Sequence, residues 1–204
     1  MAVDPPHPAA GPERLGAPSG MLELGAALGA GTWWCEQLFA VAGAWVPSTD
    51  EAAIRRHLAE LSRVLGDHAL ALRRHLPRPT GVDPVSWVAP PSRAAEGVVL
   101  ALAAPDRSCA RLAGVHRVLV PRLLVAWSAH VRGAAVADRG VARTLGHAHH
   151  DLLDLWHEGE GLLQALVDAD PARASTAGAA SARLEADLAR SGGIFPGSPA
   201  ALPG

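Results

Sequence analysis

Between Glu51 and Leu76 an apolar stripe recurs in steps of 4, 3, 4, 3, 4 and 3: Ile54, Leu58, Leu61, Leu65, His68, Leu72 and His75. At 3.6 residues per turn this rhythm draws one continuous line down a helix, and so long a line has to be covered by other helices. Leu112, His116, Leu119, Leu123, Ala126 and His130 repeat the alternation in a helix expected from Arg107 to Ala137. Val141, Leu145, Ala148, Leu152, Leu155, Gly159, Leu162 and Leu166 repeat it from Val141 to Asp168. A fourth helix is expected over Met21 to Val46, where Gly25, Gly29, Gly31 and Gly43 are the main breakers. No segment alternates with period two, so a sheet is not expected.

Four rods of ~40 Å each, at 1.5 Å per residue, make a four-helix bundle the economical all-α architecture. Pro47-Ser48-Thr49-Asp50 separates helices one and two, with Thr49 or Asp50 placed to cap the second. Pro77 and Pro79 end helix two, and Thr80 to Pro91 is a long crossover carrying Trp87. A short helix is expected over Ser92 to Ala103, and an Ala-rich one over Pro171 to Arg190. Pro121 lies inside helix three, removes a backbone donor and predicts a kink. The 204 residues suit one domain over residues 20–190, with a disordered Pro-rich lead over 1–19 and a flexible tail over 191–204.

Composition narrows the function classes. The chain has no Lys, Asn or Tyr, a pattern expected of a very GC-rich bacterial genome, so its Arg-only basic set carries no mechanistic weight. A net charge of −2 with scattered arginines argues against nucleic-acid binding. The longest apolar run, Leu24 to Cys35, is too short for a bilayer, and Met1 to Ser19 lacks the pattern of an export signal; a cytoplasmic protein without a membrane partner is expected. Cys35 and Cys109 form no CxxC pair, and Cys35 reads as a core residue. Nucleophile-elbow, phosphate-loop and dinucleotide motifs are all missing.

Polar residues on the stripes are the candidates for chemistry. Glu36 is flanked by Trp33, Phe39 and Ala40, His68 interrupts the stripe of helix two, and His116 and His130 lie on that of helix three. On helix four, His147, Asp151, Asp154 and Glu158 share one face, and His150, Asp154 and His157 a neighbouring one. From His147 to Glu160 there are four His, two Asp and two Glu. That density suits a solvated face laced with i, i+4 pairs, with metal binding or a pH-sensitive contact as the sharper readings.

The two helical pairs, the long crossover, the Glu of helix one and the His of helix two resemble the ferritin-like superfamily. That resemblance implies a bundle over about Met21 to Asp168, with metal ligands of the type Glu on helices one and three and Glu-x-x-His on helices two and four. Glu36 matches the first Glu; Leu65-Gly66-Asp67-His68 keeps the His but has Leu65 in place of the Glu; His130 is the candidate on helix three; Asp154-Leu155-Trp156-His157 is a shortened fourth motif. The resemblance thus implies Glu36, His68, His130, Asp154 and His157 as the remnant of an iron or manganese site.

The leading expectation is a bundle that has lost its full di-iron constellation and acts as a non-catalytic binding or structural protein, with no cofactor and a homodimer contact on an exposed face. The alternative is an iron- or manganese-dependent oxidoreductase centred on Glu36, His68 and His157. A small apolar ligand in the space left by the missing metals is a further partner to test.

Overall fold

A computed structural model describes residues 20–134 and 138–195 and contains no strand among them. Its helices are α1 (Met21–Trp45), α2 (Ala52–Arg73), α3 (Ala95–Ala103), α4 (Ser108–Ala113), α5 (Val120–Gly133), α6 (Arg139–Ala169) and α7 (Ala172–Arg190). Gly114–Leu119 is a π-helical segment that joins α4 to α5 in one rod. Helix α1 packs along α2, α5 along α6, and α2 against α6, while α7 covers α4 and the π segment. None of the described helices is long and apolar enough to cross a membrane.

The stripe of α2 goes where its rhythm sends it: Ile54, Leu58, Leu61, Leu65 and Leu72 are buried in a core shared with Leu112, Leu119 and Leu123 and with Leu145 and Leu152. Cys35 is fully buried in the same core, and burial pushes its thiol far above the ordinary range. The cap expected at Thr49 or Asp50 is not made. Helix α2 starts after Glu51 without a side-chain cap, and the Thr49 hydroxyl instead donates back to the Trp45 carbonyl at 2.8 Å. The Glu51 carboxylate is engaged elsewhere, accepting from the Ser108 hydroxyl at 2.6 Å.

Arg111 fastens the same end of the molecule. Its guanidinium is almost wholly buried, donates to the Pro105 and Ser48 carbonyls and to the Thr49 hydroxyl, and lies over the Trp45 ring. One side chain thus ties α4 to the α1–α2 turn and to the end of the α3–α4 connection, as the fork of five donors permits.

The crossover passes close over α1 because that helix carries glycines where it does. A Cβ on Gly29 would lie 1.9 Å from the Trp87 carbonyl oxygen, and one on Gly25 would lie 2.8 Å from the Trp87 ring. The Trp87 indole N–H closes the loop on the Pro77 carbonyl at 3.1 Å. At the other end of the chain, Ser191–Phe195 is seated rather than tail-like. Ile194 is buried, and its carbonyl accepts the Trp34 indole N–H at 2.7 Å. The expectations for residues 1–19 and 196–204, and for the end of helix three at Ala137, lie outside the described residues.

Pro121 acts through hydrogen-bond register. The Val120 N–H reaches the Val115 carbonyl, five residues back. In that register the next donor would serve the His116 carbonyl, but the next residue is Pro121 and has no N–H. The His116 carbonyl accepts the Trp156 indole N–H of α6 instead, at 2.6 Å. The kink expected from Pro121 takes the form of a widened turn whose freed acceptor is met by a neighbouring helix.

Candidate functional site

Two helix faces of matching spacing form a cleft of about 430 Å³: Glu60, Arg63, Val64, Asp67 and His68 on α2, and Asp151, Asp154, Leu155 and Glu158 on α6. The α2 residues fall at i, i+3, i+4, i+7 and i+8 and those of α6 at i, i+3, i+4 and i+7, which places each set on one face. Arg63 holds Glu60 through two bonds of 2.6 and 3.0 Å and Asp67 through one of 2.7 Å. Five carboxylates therefore share the cleft with one guanidinium.

His68 lies at the edge of this cleft with 6% of its surface exposed. Its Nε2 is 3.2 Å from Asp151 Oδ2, and its ring meets Trp127 edge-on. The other nitrogen, Nδ1, is buried without a hydrogen-bond partner. Burial lowers the imidazole pKa, and the hydrogen bond and charge of Asp151 oppose that shift.

Behind Glu158 a second arrangement runs into the core. Glu158 Oε2 is 3.2 Å from His57 Nδ1, and His57 Nε2 is 3.0 Å from His116 Nε2. The Glu158 carboxylate lies beside Nδ1 without forming a directed hydrogen bond, and its charge favours the His57 tautomer with its proton there, leaving Nε2 bare as an acceptor. His116 then supplies the shared proton from its own Nε2, and its Nδ1 remains bare. That Nδ1 is buried without a partner. Burial lowers the pKa of His57, against the opposing pull of Glu158. Burial, with a further contribution from His57, pushes His116 down to about 3. Gly159 makes the space: a Cβ there would lie 2.3 Å from the His116 ring.

The five residues expected as metal ligands are not gathered. Glu36 is half-buried and bound to Arg73, whose Nε donates to Oε1 at 2.7 Å. His68 meets Asp151, as described. His130 is half-buried near the end of α5, its Nε2 lacks a partner, and burial lowers its pKa while Asp138 opposes. Asp154 is exposed in the cleft, 3.8 Å from His150 Nε2. His157 is exposed with its ring edge-on to Trp156. Among the described residues no three His, Cys, Asp or Glu side chains converge as a metal ion would need.

Reading for the core stripe alone passes over His57. Its signal is a second rhythm on α2, His57, Leu61, Val64 and His68, at steps of 4, 3 and 4. This line shares Leu61 and His68 with the apolar stripe and adds His57 and Val64 on the side that meets α6. A separate, more apolar groove of about 310 Å³ lies between α3, α4 and α7, lined by Leu102, Ala110, Gly114, Ala180 and Leu184 with Arg183.

No protein-family model, curated protein or solved structure matches this chain.

Proposed function

We propose that this chain is a non-catalytic binding protein on a degenerate ferritin-like bundle, and that it takes a small organic cation in the cleft between α2 and α6. The bundle reading is supported by the order of a helical pair, a long crossover and a second pair, with α2 lying against α6. The binding reading is carried by His68, nearly buried at a cleft edge with one nitrogen orphaned. An unsatisfied buried polar atom costs about 1–3 kcal/mol, a cost that an apolar residue on the same stripe would avoid. The ligand class follows from charge. Five carboxylates spread along two facing helices suit an extended amine better than one compact ion.

Calorimetry with spermidine at low and high salt tests the reading. Salt-sensitive binding that weakens in Asp151→Asn and Glu158→Gln is the expected result. Absence of binding, together with stoichiometric iron or manganese that is lost in Glu36→Ala or His68→Ala, would replace it with the metal-dependent oxidoreductase.

A further inference from the structure

The His57–His116 contact joins α2 to the π segment through two buried imidazoles, and the half-exposed Glu158 of α6 lies behind it. From α6 His57 meets Glu158, and from the π segment it meets His116. Among the described residues, α1 and α7 bring no charged group to bear on either ring. The joint also lies where the rod is least regular. His116 is within the π segment, its carbonyl is held by a side chain of α6, and its ring lies against Gly159.

From this geometry we infer that the Glu158–His57–His116 chain is a proton-operated latch, whose protonation parts the two rings and frees the middle of α6 from α2 and the π segment. The contact allows only one shared proton between the facing Nε2 atoms. A second proton has no acceptor at either place open to it: on His57 Nε2 it leaves two donors aimed at each other at 3.0 Å, and on His116 Nδ1 it sets a donor in the core without a partner. Glu158 can balance a charge on His57 but lies on the far side of that ring from His116. The pair therefore relieves the added charge by separating, and His116 gains water only when α6 moves away. His116, at about 3 when closed and near 6.5 when open to solvent, by itself favours the open form about 30-fold more at pH 5 than at pH 8. The moving element is local, so the α1 contacts at the Trp34–Ile194 bond stay closed. The latch shares Glu158 with the cleft and is read on the chain with no cation added.

Two indole N–H groups report separately on this proposal. The Trp156 indole is bound to the His116 carbonyl and the Trp34 indole to the Ile194 carbonyl. In an NMR titration of the intact chain from pH 8 to pH 5, Trp156 should lose its bonded resonance while Trp34 and the far-ultraviolet helical signal hold. Glu158→Gln removes the charge that steadies His57, so its transition should move to higher pH; this residue is half-exposed, and the variant should fold. His57→Gln takes one titrating ring away and should move the transition to lower pH. The latch is overturned if Trp156 and Trp34 change together with loss of helix, which is acid unfolding of the whole domain. It is equally overturned if Trp156 keeps its resonance to pH 5, or if Glu158→Gln leaves the midpoint where it was.

Discussion

The imidazoles of His57 and His116 face each other Nε2 to Nε2 at 3.0 Å, both buried, with a carboxylate behind only the first. That asymmetry sets the proton order along the chain and gives the pair its sensitivity to acid. It also makes the surrounding residues unequal in their tolerance of change.

Gly159 is the least tolerant. Ala is the better helix former by about 1 kcal/mol, yet its Cβ would meet the His116 ring at 2.3 Å. Overpacking of this kind costs about 1–3 kcal/mol, so Gly159→Ala should lower the urea midpoint. Gly161→Ala, where nothing lies within 4 Å of the added atom, should raise it.

Trp156→Phe keeps most of the ring but leaves the His116 carbonyl without its indole donor. A loss of about 1–3 kcal/mol in denaturant unfolding is expected. Hydrogen exchange should rise most in the π segment over Gly114–Leu119, with little change in α1.

Stability should depend on pH with a definite sign. His116 is pushed down to about 3 in the closed fold, against an ordinary value near 6.5, so the unfolded chain binds more protons. Its contribution is complete above about pH 6.5 and is lost as pH falls, by about 2 kcal/mol at pH 5. Urea midpoints across this range should fall and then level off where the latch opens. A continued fall without levelling would indicate that no open form is populated.

Glu36→Ala should cost less than about 1 kcal/mol, because the Glu36–Arg73 pair is partly exposed at 30% and 36%. Emission spectrometry on the untagged protein should give the same metal content for this variant as for the parent chain. Arg111→Leu is expected to be far more damaging in thermal unfolding. It leaves the Pro105 and Ser48 carbonyls and the Thr49 hydroxyl short of a donor where three segments meet.

The sequence by itself determined the helices and their buried lines. Stripes such as Leu58–Leu61–Leu65 are periodic within one helix, and periodicity is a local property of a chain. It also marked Pro121, Cys35 and the acidic face of α6. Only the tertiary structure decided which polar groups meet. The rhythm that placed Glu36 and His68 near an interior could not say that Glu36 would be held by Arg73, or that His68 would meet Asp151. The same holds for His57 and His116, 59 positions apart, whose meeting depends on how α2 and the π segment are rotated about their axes. That rotation is fixed by contacts summed over the whole core, including a glycine on a third helix, and no single helix encodes it.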